Sequence, residues 1–267
     1  KKQKNKDMIS KYNLGTISPD VDGSVFHAAT GGADIVFDWT PMLIPSGSCV
    51  IRSIGGTIMG TNGAAQADAD FRLYFAKSIN GAAPSSFGTA HAAQGVNQAA
   101  AFRRNILGAL HVDMGASDDA DNLIAYSVLQ SKLNQASGSA AELRQDIMLQ
   151  SEANQTTKGY QTIYVAMELT GAAVDFGTDV DLNMGSSANV AADMTGASVA
   201  LTTSGTDPRL VFQPGDSIVG HTGTVEMEVV SVDSATAMTV KNVSAQIDHA
   251  EQLIHKNPIT FNFGCEY

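Results

Sequence analysis

Aromatic residues make up only 6% of this 267-residue sequence, and tryptophan occurs once, as Trp39. Cysteine occurs twice, as Cys49 and Cys265. Two cysteines do not make a disulfide framework. Each lies in a strand-like stretch with apolar neighbours, so buried, reduced thiols are expected, with a Cys49–Cys265 bridge as the alternative. Basic residues are scarce: 16 Lys and Arg face 27 Asp and Glu, for a net charge of −11. Phosphate binding needs a basic surface, which argues against nucleic acid as a main partner. The acidity instead favours solubility at high concentration. No apolar run reaches the roughly 18–20 residues that span a bilayer, and the N-terminus shows no apolar signal-peptide core. The expectation is a protein that folds in a reducing cytoplasm and has no membrane partner.

Reaction chemistry is also missing. The histidines His27, His91, His111, His221, His249 and His255 form no ligand-pair spacing. Asp20-x-Asp22-Gly23 and the group Asp175, Asp179, Asp181 could offer oxygens to calcium, but neither fits a calcium-binding loop, and solvated turn carboxylates are the expected role. No nucleophile elbow, phosphate-binding loop or dinucleotide fingerprint is present. Trp39 shares its alternation with Ile35 and Phe37, which predicts packing rather than a sugar platform. The sequence therefore predicts no enzyme, no catalytic residue, no metal and no cofactor.

What is present is alternation. In Gly159–Gly171, Ile163, Val165, Met167 and Leu169 fall on one face, with Thr162, Tyr164, Ala166, Glu168 and Thr170 on the other. A period of two in β-branched and aromatic residues, bounded by glycines, predicts a strand with one buried face. Ala33–Thr40, Asp70–Ser78 and Pro258–Tyr267 repeat the pattern, with Phe71, Phe75, Phe261 and Phe263 pointing inward. Ser48–Gly60 reads as two short strands or one bulged strand. Asn97–Ile106 reads as a short helix, capped by Asn97 and stopped by Gly108. Residues 132–158 are open between helix and strand. Together these stretches predict an antiparallel β-sandwich.

The character changes at Gly185. Short strands at close spacing, with turns at Pro214-Gly215-Asp216, Gly220–Gly223 and Ser234-Ala235, predict a small β-barrel. The pattern of the sandwich returns at Pro258. The domain reading is an N-terminal arm and connector over 1–32, a sandwich over 33–184 plus 258–267, and an inserted small barrel over 185–257. Residues 1–11 hold five lysines in an acidic chain. They read as a solvated tail or as a partner-binding arm. In the second reading Lys1, Lys2, Lys4, Lys6 and Lys11 steer the encounter, while Met8, Ile9 and Tyr12 make contact.

Asp70–Lys77 (DFRLYFAK), the Ala/Ser loop after it, the helix ending Ile106-Leu107-Gly108 and the strand Tyr160–Leu169 resemble a family of tailed-bacteriophage virion proteins. Phe212–Val240, with its F-x-P-G-D-x-I turn, resembles small β-barrel modules of phage structural proteins. The first resemblance spans Ala33–Met184 plus the last strand. It implies an all-β, jelly-roll-like antiparallel β-sandwich with a small inserted β-barrel lobe and one short helix. It also implies a non-enzymatic head decoration or cement protein in the virion, assembled in the host cytoplasm. Its partners would be the major capsid protein or neighbouring virion subunits, in a homo-oligomer, with no nucleic acid. The alternative is a receptor- or carbohydrate-binding module of a tail or fibre.

Overall fold

The computed structural model describes residues 11–21, 25–26, 34–45, 47–58, 71–92, 104–112, 123–127, 147–152, 160–170, 173–184, 197–220, 225–246 and 249–267. Its strands in chain order are β1 (Tyr12–Ile17), β2 (Val25–Phe26), β3 (Ile35–Pro45), β4 (Ser48–Ile58), β5 (Phe71–Lys77) and β6 (Ile106–Val112). There follow β7 (Leu123–Ser127), β8 (Ile147–Gln150), β9 (Tyr160–Leu169), β10 (Val174–Asp175), β11 (Val180–Leu182) and β12 (Val199–Gly205). The last are β13 (Ser217–Gly220), β14 (Glu226–Ser234), β15 (Ala237–Lys241), β16 (Gln252–His255) and β17 (Ile259–Glu266).

One sheet runs β1-β17-β4, and β4 then pairs β7 along one half and β8 along the other. The second sheet runs β3-β9-β5-β6. Counting β7 and β8 as one split strand, the eight positions in chain order fall into the two sheets as 1-8-3-6 and 2-7-4-5. All pairings are antiparallel. This is the double Greek-key jelly roll. β2 and β10 form a separate two-stranded ribbon.

The core between the sheets follows the alternation. Ile163, Val165, Met167 and Leu169 of β9 face Ile259, Phe261, Phe263 and Cys265 of β17, all at most 1% exposed. Burying each large side chain stabilises the fold by about 1.5–3 kcal/mol. Phe75 meets Phe263 across the seam, edge to face, with centroids 5.6 Å apart. Gly56 lies where a Cβ would run into the Thr260 carbonyl, at φ +153°, so β4 can approach β17 there only with glycine. β4 is one strand with a bulge, the register slipping between Gly264 and Cys265. Cys49 and Cys265 are buried and free. Their mutual hydrogen bond, together with burial, pushes the Cys49 thiol up and keeps it protonated.

Four sequence expectations are corrected or displaced. First, residues 12–17 are not connector: β1 is a sandwich strand, paired with β17 from Tyr12↔Glu266 to Ile17↔Phe261. Second, the barrel does not begin at 185. It is a closed six-stranded barrel in the order β11-β12-β15-β14-β13-β16, so it spans Val180–His255. The β11 stretch is only three residues long and carries Asp181, which hid its membership. Third, Phe37 does not share a face with Ile35 and Trp39. Register shifts between Ile35, Phe37 and Thr40 turn Phe37 into the main core, while Ile35 and Trp39 join a smaller cluster with Phe87 and Tyr164. Fourth, the helix expected over 97–106 lies mostly outside the described residues; Arg104 and Asn105 are helical, and Ile106 already begins β6.

The barrel has its own core of Val180, Leu182, Leu201, Phe212, Ile218, Val225, Met227, Val229, Met238, Val240, Val243 and Leu253. Its first and last strands are neighbours, Val180 pairing Leu253. The chain therefore leaves and rejoins the sandwich at adjacent points.

Candidate interaction surfaces

Three regions of the described surface carry arranged polar or exposed apolar groups. The first is the outer face and free edge of the β1 sheet. Tyr12 is 70% exposed and Leu14 64% exposed. Tyr12, Glu266, Val50 and Met148 line up in one row across four strands. Met148 is exposed, and Arg52 Nε holds Glu266 Oε2 at 2.6 Å in the same face. Of the arm residues expected to bind a partner, Lys1, Lys2, Lys4, Lys6, Met8 and Ile9 lie outside the described residues. Lys11 and Tyr12 are described, and both belong to the sheet rather than to an arm. Lys11 exchanges backbone hydrogen bonds with Tyr267, at 3.1 and 2.9 Å.

The second region is the loop over the outer face of the other sheet. Residues 78–92 fold back across it. Phe87 is fully buried there, against Trp39 at 5.3 Å and Tyr74 at 4.7 Å between centroids. Trp39 Nε1–H donates to the Ser85 carbonyl at 2.9 Å. Asp38 Oδ1 accepts from the backbone N–H groups of Trp39 and Phe87, each at 2.7 Å. Trp39 is therefore a packing residue. Beside it Tyr74 donates to Glu168 Oε2 at 2.6 Å, and burial pushes the Tyr74 phenol up to about 12. A phenol held that high stays protonated and structural at neutral pH.

The third region is the junction of barrel and sandwich. Lys256 Nζ lies 3.0 Å from Glu226 Oε1 and 3.3 Å from Asp20 Oδ2. Asn257 donates to the Ser18 carbonyl at 3.0 Å and to Asp20 at 2.8 Å, and the Val21 N–H donates to the Lys256 carbonyl at 3.1 Å. A cavity of about 160 Å³ opens nearby, lined by Ser217, Glu226, Met227, Glu228, Asn242 and Lys256. Its charges are paired: Lys241 meets Glu228 at 2.8 Å, and Lys256 meets Glu226. On the barrel, Phe212 is buried against the His255 ring at 4.9 Å and offers no sugar platform.

Among the described residues no cluster of His, Cys, Asp or Glu is arranged to hold a metal ion. Asp175 accepts from the Gly177 N–H at 2.7 Å, and Asp179 accepts from Gln252 at 3.2 Å, both as turn carboxylates. Among the same residues no helix is long and apolar enough to cross a membrane.

No protein-family model matches the sequence, and no curated protein matches it. A solved structure of infectious bursal disease virus, Gx strain, aligns with 96% of this chain at 8% identity and a TM-score of 0.20. The chain spans 40% of the length of that viral chain. A superposition so loose carries no argument, and the jelly-roll assignment rests on strand order alone.

Proposed function

We propose that the chain is a non-enzymatic structural protein of a virion, a head decoration or cement protein that binds the capsid lattice. The observation that carries this reading is the architecture: a jelly roll interrupted between its last two strands by a closed barrel. Jelly rolls recur in viral capsid and lectin domains, so this is an argument from fold, joined to the sequence resemblance to phage head proteins. In this reading the sandwich is the rigid body, the barrel projects, and the lysine-rich residues 1–11 steer docking onto acidic capsid or virion subunits in the host cytoplasm.

The test is quantitative mass spectrometry and cryo-electron microscopy of particles that carry the chain. Copy number equal to that of the capsid subunit, or a simple fraction of it, with density on the head lattice, is the expected result. Density confined to the tail or fibre would favour the receptor-binding reading, and absence from purified particles would overturn both.

A further inference from the structure

We propose that the free edge of β1 is a two-fold interface between two copies of this chain. The hydrogen-bond phase of β1 fixes which groups face that edge. Lys11 and Tyr267 exchange both backbone hydrogen bonds. In an antiparallel ladder bonded pairs alternate with non-bonded ones. Asn13, Gly15 and Ile17 are therefore the residues that bond to β17, opposite Cys265, Phe263 and Phe261. The N–H and C=O groups of Tyr12, Leu14 and Thr16 point away from it. Among the described residues no strand pairs with β1 on that side.

Native sheets usually blunt such edges with proline, charge or bulges. The neighbouring edge strand β3 follows that rule, with Pro41 and Pro45 in it and two register shifts. β1 does not. From Tyr12 to Ile17 it has no proline, no charge and no bulge, and it exposes Tyr12 and Leu14 beside the open backbone.

The strand is complementary to itself. Antiparallel pairing centred on Leu14 sets Leu14 against the partner's Leu14, Tyr12 against the partner's Thr16, and Thr16 against the partner's Tyr12. Every outward-facing backbone group then finds a partner, and the exposed apolar side chains cover one another on the same outer face. A two-fold contact needs this isologous match. Charge selects the same occupant. Residues 1–10 contribute Lys1, Lys2, Lys4 and Lys6 against a single Asp7. This basic excess, next in sequence to β1, offsets the repulsion between two chains of net charge −11. The inference does not depend on the virion reading.

Analytical ultracentrifugation of the full chain should give a dimer, twice the 27.9 kDa monomer. Leu14→Pro deletes the outward N–H at the axis while sparing the bonds to β17, and should give a monomer. Leu14→Lys keeps the backbone donor, sets like charges across the axis, and should weaken the dimer at least about tenfold; it decides the matter if the proline variant fails to fold. Register is read by cross-linking with oxidised glutathione. A directly bonded antiparallel pair has Cα atoms about 5.5 Å apart, within disulfide reach. Leu14→Cys should therefore link to itself, whereas Tyr12→Cys and Thr16→Cys should link only when mixed. A full chain that stays monomeric at about 100 μM, or a dimer indifferent to Leu14→Lys, overturns the proposal. A monomer whose particle binding is abolished by Leu14→Lys also overturns it, since the edge would then serve a capsid subunit while the virion reading survives.

Discussion

The rings of Phe71 and Phe261 meet 5.4 Å apart across the seam between the two sheets, one on β5 and the other on β17. Phe261 also lies 6.3 Å from Phe37 and 6.0 Å from Phe263. It is the central ring of the sandwich and is fully buried. Phe261→Ala should cost about 3–5 kcal/mol through lost burial and the cavity left behind. Denaturant unfolding measures this directly, and a loss below about 1 kcal/mol would mean that the ring is not where the two sheets are joined.

The aromatic alternation was legible because its period matches the pleat and both flanking strands use large residues. β1 was not legible, because its only buried positions are Gly15 and Ile17 and its partner lies at the far end of the chain. The residue types of β3 suggest one face for Ile35, Phe37 and Trp39, but irregular pairing with β9 breaks that alternation at Phe37. The barrel was legible as a pattern, but its first strand was not, since closure by β11 against β16 is a long-range pairing. The open edge of β1 was not legible, because it depends on hydrogen-bond phase, which no residue type encodes.

The loop over Trp39 should be held by Glu152. Its carboxylate accepts from the backbone N–H groups of Gly81 and Asn80, each at 2.9 Å, and from the Ser78 hydroxyl at 2.8 Å. Those bonds, Gly81 first, hold its pKa below the usual 4.5. A depressed carboxylate contributes stability above the unfolded value that is lost as pH falls through the folded one. Acid below about 4.5 should therefore loosen the loop and shift the emission of the single tryptophan to the red. Glu152→Gln should show part of that shift at neutral pH and respond little to acid. Equal acid responses in both proteins would remove Glu152 from the account.

The barrel should weaken in mild acid through His255. Its ring is 8% exposed and packs at a tilt against Phe212, with Nε2 3.1 Å from the Val211 carbonyl and Nδ1 3.9 Å from Asp216. Burial lowers its pKa, and the Asp216 charge and the Val211 carbonyl only partly oppose this. The folded state then binds fewer protons than the unfolded state. Stability is unaffected at high pH and falls as pH drops below the ordinary value of 6.5. The slope is at most about 1.4 kcal/mol per pH unit. Thermal unfolding between pH 8 and 5 should show this decline, and His255→Gln should flatten it. A wild-type profile that is level or rising toward acid would contradict the assignment.

The barrel should be removable, but only at its own boundaries. Replacing 178–255 with a short Gly/Ser linker removes all six barrel strands and joins chain ends that the Val180–Leu253 pairing brings together. That variant should stay soluble and unfold cooperatively. Replacing 185–257 instead strands the apolar Val180 and Leu182 and deletes Asn257, which ties Ser18 and Asp20. It should be less stable or aggregate. If the first variant loses its β signal on circular dichroism, the sandwich does not fold without the barrel.

The lysine-rich start of the chain should be separable from the fold at Lys11. Deleting residues 1–10 leaves the Lys11–Tyr267 exchange and the Tyr12↔Glu266 pairing in place, so unfolding should be unchanged. Deleting 1–12 removes both backbone bonds and should cost about 1–3 kcal/mol, at 0.5–1.5 kcal/mol for each hydrogen bond. An arm loses about 1–2 kcal/mol of conformational entropy per residue ordered, while an exposed ion pair returns about 0–1 kcal/mol. Lys1, Lys2, Lys4 and Lys6 should therefore set the rate of docking, with Met8 and Ile9 contributing to its lifetime. Replacing the four lysines with Gln should slow association onto particles and flatten its salt dependence while leaving dissociation nearly unchanged. Met8→Ala with Ile9→Ala should do the reverse. Surface plasmon resonance at two ionic strengths separates the effects, and a protein lacking residues 1–10 that docks as fast and as tightly as the full chain would reduce the segment to a solvated tail.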